Sequence, residues 1–211
     1  NSTLDLDSVT LTPERVSAKT VYTKQLILQG GQQVDNLISR ELANAMNAFV
    51  DEDFFSHCAA NAGYIIDTGG ANDDGTTDTT FAASHIFAME QNVLAAGGDL
   101  SQCVWVMSPK AYEVSRDIAI VSSVDAAWSD GKFDGFTAYA TPYLKNLTTG
   151  EGQMRFGDFA KGAMLAYFGG VDLLVDPYSN AGTAQIALHV NRFYDKAIRQ
   201  AGALAAIQDA V

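Results

Sequence analysis

The longest periodic stretch of the chain lies between Val34 and Ala62. Stepping by about 100° per residue from Val34 gathers Ala45, Ile38, Phe49 and Leu42 into one apolar stripe, with Asn36, Asn47, Arg40, Asp51 and Asn44 opposite. The pattern predicts a single helix over 34–62, with Asp35 as its N-cap and Gly63, after Asn61, as its stop. The acidic triplet Asp51-Glu52-Asp53 would oppose the macrodipole at a C-terminus, so the helix runs on through Phe54, Phe55 and Cys58. Its length is about 42 Å, more than twice the usual globular value, and a spine of that length suits an extended domain.

Period-two segments flank it. Leu4, Leu6, Val9 and Leu11 alternate with polar residues and predict an extended edge strand over 1–12, closed by Pro13. Residues 16–24 are rich in β-branched and aromatic side chains and predict a second strand, and Gly30-Gly31 frees the backbone before the long helix. Between Tyr64 and Thr80 the composition turns to Gly, Asn, Asp and Thr, the clearest boundary in the chain. Phe81 to Ala96 is amphipathic and stopped by Gly97-Gly98. Residues 102–107 form a buried strand, and Ser108-Pro109 caps and opens a helix through Tyr112, Val114 and Ile118.

Turn pairs at Asp130-Gly131 and Asp134-Gly135 lead to a strand at Phe136–Tyr139. Residues 163–168 and 171–175 are apolar runs separated by Gly169-Gly170, which predicts a two-residue hairpin turn there, and 185–190 continues an antiparallel meander. The Ala-rich tail after Lys196 fits helix and strand equally. The elements predict an α+β protein in three parts: 1–62 with the long helix, an inserted α/β segment over 63–147, and 148–211, which rejoins the first part or, at its tail, the insert.

Composition sharpens this picture. With 211 residues the chain is long enough for a sizeable core, and 47% hydrophobic against 18% charged residues points to more buried surface than a soluble monomer needs, as in an oligomer. The net charge is −12, with no Lys or Arg between Arg40 and Lys110 and ten Asp and Glu from Glu41 to Asp99. Such a surface repels phosphate backbones and excludes tight nucleic-acid binding. No apolar run reaches the ~20 residues of a membrane span, and no signal-peptide pattern is present. The chain starts at Asn1 rather than Met, as a processed or partial product would. Cys58 and Cys103 each lie in an apolar element, where a small reduced buried thiol is the default.

Candidate chemistry is sparse. There is no G-x-S-x-G elbow, no phosphate-cradling glycine loop, and no zinc pattern in two cysteines 45 positions apart and three scattered histidines. His57 and Cys58 are neighbours on a helix, so their side chains diverge by about 100°. The Asn72-Asp73-Asp74-Gly75 run does not place ligands as a calcium loop requires and reads as a solvated connection. His85 reads as a satisfied or interfacial histidine. The remaining chemical reading is a small-molecule-binding or hydrolytic α/β insert using the Asp67–Asp78 loop or His85. The sequence otherwise predicts no enzyme, no catalytic residue, no cofactor and no metal.

The run Met154-Arg155-Phe156-Gly157-Asp158-Phe159-Ala160-Lys161-Gly162, followed by the apolar strands, resembles the "FGDF" region of tailed-bacteriophage major capsid proteins of the Hong Kong 97 fold. In the family's order come Thr12-Pro13-Glu14-Arg15-Val16, the strand-Ser-Pro-helix of Val104 to Tyr112, and Asp130-Gly131-Lys132-Phe133 with Gly135-Phe136. Together these cover about residues 10 to 205.

The resemblance implies a spine helix, a discontinuous peripheral domain from 1–62 and 148–211, and an axial domain from 63–147. It also implies pentameric and hexameric capsomers in an icosahedral virion shell that encloses DNA without specific binding and assembles in the host cytoplasm. Scaffold, protease and portal proteins would be its partners, and no membrane is involved. An encapsulin-like nanocompartment is the alternative within the same architecture. The family's N-terminal arm and extended loop would precede Asn1. Phe49, Phe156, Gly157, Asp158, Phe159, Gly169 and Gly170 are the candidate structural and interface residues.

Overall fold

The computed structural model describes residues 8–30, 32–66, 82–116, 119–121, 125–126, 128–129, 131–144 and 152–210. The chain begins with β1 (Glu14–Thr23), α1 (Lys24–Gly30) and α2 (Gln32–Ala60), then β2 (Tyr64–Ile66), α3 (Ala83–Ala95), β3 (Val104–Met107) and α4 (Pro109–Ser115). Short strands follow: β4 (Ala119–Val121), β5 (Asp125–Ala126), β6 (Trp128–Ser129), β7 (Lys132–Phe133) and β8 (Phe136–Ala140). The last part holds β9 (Gly152–Gly157), α5 (Phe159–Gly162), β10 (Ala163–Asp176), β11 (Gln185–Ile198) and β12 (Leu204–Ala210). Two compact units result: residues 1–51 with 165–196, and residues 52–164 with 197–211.

In the first unit, β11 lies between β1 and β10. β1 and β11 run antiparallel in unbroken register from Glu14 opposite Tyr194 to Thr23 opposite Gln185. Their even-numbered residues face α2: Val16, Leu188, Val190 and Tyr194 are buried with Leu42, Met46 and Val50, and Ile38 packs beside them. The buried stripe of α2 is therefore Ile38-Leu42-Met46-Val50, rotated from the expected one. Ala45 and Phe49 fall outside it, with Phe49 54% exposed. The rotation follows from the neighbour: the sheet takes the face that offers flexible Met46 and β-branched Val50, which fill a curved surface without a large ring.

The second unit is built on a mixed sheet in the order β2-β12-β9-β3-β8-β7-β6, with β4 and β5 as a separate hairpin. β12 runs parallel to β2 and antiparallel to β9, and β3 runs antiparallel to β9 and parallel to β8. On one face Ile86, Met89 and Val93 of α3 and Ala111 of α4 pack on Trp105, Met107, Met154, Phe156, Ala205 and Ile207. A second cluster joins Cys58 at the end of α2 to Ala163 and Leu204, with Phe54, Phe159 and Ile198 against it.

Local chemistry explains the element ends. Ser108 caps α4 through its Oγ, which accepts from the Ala111 amide at 3.3 Å, and Pro109 occupies the first position. Asp134 (φ 48) and Gly135 (φ 79) supply the two positive-φ residues of the β7–β8 turn. Gly97 (φ 81) stops α3.

Several expectations are corrected. Ser8–Pro13 is not a strand, and within it the Thr12 amide donates to Asp195 Oδ2 at 2.6 Å; residues 1–7 lie outside the described residues. The long helix starts at Gln32, so Asp35 lies inside it rather than capping it. Its other end is closed by Asn61, whose Nδ2 donates to the His57 carbonyl at 2.9 Å. Gly169-Gly170 is not a turn: β10 runs through both to Asp176. The reversal comes later because the Asp176 carboxylate accepts from the Tyr178 and Ser179 amides at 2.9 and 3.1 Å and from the Ser179 hydroxyl, a turn fixed by Asp-Pro. Gly169 keeps a positive φ of 75 as an irregularity within the strand. Finally, the ambiguous tail is β12.

Candidate assembly surfaces

The FGDF run places its residues by packing. Phe156 is 0% exposed, its ring 4.5 Å from that of Trp105 and 5.2 Å from that of Phe136. Edge and tilted contacts extend the series from Trp105 to Phe133, Trp128 and Tyr112, and Trp128 Nε1 donates to Ser115 Oγ at 3.0 Å. Gly157 (φ 148) sits where β9 meets the start of β12: a Cβ there would lie 2.1 Å from the Ala203 carbonyl oxygen, so only glycine lets the two backbones approach. Asp158 caps α5, its carboxylate accepting from the Lys161 amide at 3.1 Å while its own amide donates to the Ala203 carbonyl at 3.1 Å. Phe159 packs its ring edge against Phe55, 6.3 Å between centroids.

Arg155, between Met154 and Phe156, went unnoticed in the sequence. It is buried, and among the described residues its guanidinium donates only to neutral acceptors: the Met154 and Ile207 carbonyls and Gln153 Oε1, each at 2.8 Å. Burial pulls its pKa down to about 10, so it remains a cation at neutral pH and ties β9 to β12 through carbonyl dipoles. No pattern in the run separates a buried arginine from an exposed one.

His85 Nδ1 accepts from the Ala82 amide at 3.0 Å and closes the first turn of α3. Cys58 and Cys103 are free and buried. Burial raises the Cys58 thiol to about 12 against a small opposing pull from Arg155, and burial followed by Asp158, Asp99 and Glu90 raises Cys103 to about 11. Neither is an activated nucleophile. Glu90, half-buried on α3, is raised to about 8 by burial and by its hydrogen-bonded carboxyl neighbour Asp134. Among the described residues no group of three or more His, Cys, Asp or Glu could hold a metal ion, and no helix is long and apolar enough to cross a membrane. The loop at 67–78, with its Asn72–Gly75 run, lies outside the described residues.

What the surface does present is apolar. Along β10, Val171, Leu173, Leu174 and Val175 are each more than half exposed, and Tyr178 beyond the strand is 85% exposed. Tyr167, on the odd-numbered face that carries Leu165 into the core, stacks under the Arg192 guanidinium at 3.4 Å from the ring centroid. β10 is also an edge of its sheet. An edge strand with both faces apolar is a template for another chain.

Buried structural motifs and an exposed apolar sheet edge are the features of a building block that works by contact. The phage capsid family model matches residues 1–209, and the chain belongs to that family: it is a structural capsid protein. Its fold is that of solved capsids. The capsid of an empty GTA particle computed with C5 symmetry is similar at 14% identity and a TM-score of 0.66, covering 97% of this chain and 75% of that one. A chain from Mycobacterium phage Che8 gives 14% and 0.66 over 97% and 76%, and one from Microbacterium phage Oxtober96 gives 13% and 0.67 over 94% and 73%. The curated proteins include no match to this chain.

Proposed function

We propose that copies of this chain form pentameric and hexameric capsomers of an icosahedral shell, the first compact unit serving as the peripheral domain and the second as the axial domain. The observation that carries this reading is the apolar edge strand β10 with Tyr178 at its end, a surface whose burial needs a neighbour. Phe49, Gly169 and Gly170 belong to the contact surface, whereas Phe156, Gly157, Asp158 and Phe159 hold the fold that presents it. The shell encloses DNA and is assembled in the host cytoplasm with scaffold, protease and portal proteins. A net charge of −12 lets the packaged genome slide without adhering. The chain performs no enzymatic step.

Electron microscopy of the purified protein across salt and concentration tests this. Rings, sheets or closed particles are expected, while a strictly monomeric species under every condition refutes the reading. Val171→Asp with Leu174→Asp should keep the circular dichroism spectrum and abolish the particles.

A further inference from the structure

The face of α2 turned away from the sheet carries one stripe: Asn36, Arg40, Asn44, Asn47 and Asp51, spaced by three or four residues and opposite the buried Ile38-Leu42-Met46-Val50 line. The first four are exposed and Asp51 is partly buried. Asparagine is among the poorer helix formers, and among the described residues the three amides have no hydrogen-bond partner. An exposed helix face is better served by Glu and Lys four residues apart, and this stripe has no such pair. Its composition therefore weakens the helix alone and points to a use outside the chain.

The charges flank the central amides. Among the described residues the ion pair of Arg40 is with its neighbour Glu41, at 3.8 Å between exposed side chains, a contact worth little in water. Asp51 has no cation partner among the described residues, and burial pushes its carboxyl up. Along the helix Arg40 and Asp51 stand about 17 Å apart, so they cannot meet within one chain. A second α2 laid antiparallel on the first, about a two-fold axis level with Ala45 and Met46, sets Arg40 of each copy beside Asp51 of the other and gathers the Asn44 and Asn47 amides of both between them. Ala43 and Ala48 flank those amides and are small enough for the helix axes to approach to about 8–10 Å. We propose that this stripe is a self-complementary docking surface for α2 of a second copy, held by two Arg40–Asp51 pairs around a cluster of asparagine amides.

Charge selects the direction: a parallel pair in register would set Arg40 against Arg40 and Asp51 against Asp51. Contacts within a ring about a rotation axis are heterologous, so a two-fold contact joins a copy in one ring to a copy in another. This inference rests on the reading that the chain self-associates, and it adds a contact separate from the β10 edge.

Disulfide trapping in the whole chain, under assembly conditions, tests it. Asn44→Cys lies beside the two-fold axis and should form covalent dimers on mild oxidation, whereas Asn36→Cys, about 12 Å further along the same stripe, should not. The native Cys58 and Cys103 are buried and do not compete. In the Asn44→Cys chain, Arg40→Asp or Asp51→Arg alone should lower the dimer yield at least fivefold, and the two together should restore it, a rescue that can only act between copies. No dimer from Asn44→Cys, equal linking through Asn36→Cys, or indifference to the charge changes overturns the proposal. Microscopy of the unmodified chain keeps the two readings apart: particles without the Asn44→Cys link refute this contact alone, and a chain that never assembles refutes the shell.

Discussion

Phe156 and Phe49 are the same residue type in opposite settings, and replacing each by alanine separates fold from assembly. Phe156 is fully buried between Trp105 and Phe136, so its truncation exposes nothing and leaves a void. Alanine buries roughly 100 Å² less apolar area, worth about 2.5 kcal/mol at about 25 cal/mol per Å². The unfilled space and lost ring contacts raise the cost to about 3–5 kcal/mol. For a chain of this size 1 kcal/mol moves Tm by about 2–4 °C, so the transition of the unit containing Phe156 should fall by roughly 6–20 °C. Phe49, 54% exposed, should cost less than about 1 kcal/mol in the same scan yet reduce particle yield, because its ring lines an open groove between α2 and β1. Urea unfolding followed by tryptophan fluorescence reports the first substitution directly, since Trp105 and Trp128 lie in the same aromatic series. A Phe156→Ala protein that unfolds within about 1 kcal/mol of the parent would refute the reasoning.

The remaining predictions concern backbone, protons and thiols. Gly157→Ala, which drives a Cβ to 2.1 Å from the Ala203 carbonyl oxygen, should cost at least about 3 kcal/mol by denaturation, while Gly169→Ala, with nothing within 4 Å but a φ of 75, should cost about 1–2 kcal/mol. Glu90 is raised from 4.5 to about 8 by burial and Asp134, so between those values the folded chain holds a proton that the unfolded chain has lost. Stability should therefore fall as pH rises through this window and level off above about 8. The slope should stay below about 1.4 kcal/mol per pH unit because the side chain is half-exposed and screened. Glu90→Gln should flatten this dependence, and a parent whose stability rises with pH there contradicts it. With Cys58 and Cys103 buried and held up at about 12 and 11, Ellman's reagent at pH 8 should find neither thiol in the native protein and both after unfolding.

Much of the fold could be read from the sequence where one face of an element is buried and the other wet. β1 alternates cleanly, the long helix was placed within two residues at each end, and Ser108-Pro109 and Asp134-Gly135 announced their cap and turn. Legibility failed where burial is two-sided or absent. β12 lies between β2 and β9, with Leu204–Ile207 all buried, so it shows no alternation, and its alanines fit helix equally well. α1, a single seven-residue helix, is too short for periodicity to register. Gly169-Gly170 satisfied a local turn rule that the Asp176 turn overrode, because a later reversal gives β10 and β11 fourteen residues each to pair. At the assembly surface the FGDF run was found, but its parts are core: the sequence marks conformational need at Gly157 and Asp158 and cannot tell that from exposure.

The position of β12 has a consequence for the order of events in the cell. β12 fills the gap between β2 and β9 in the larger sheet, so the second unit cannot close until the chain has been made through Ala210. A polypeptide released early lacks that strand and leaves two neighbouring edges open. A copy that stops before Leu204 therefore presents an unfinished sheet, and the topology itself separates it from one that reaches Ala210.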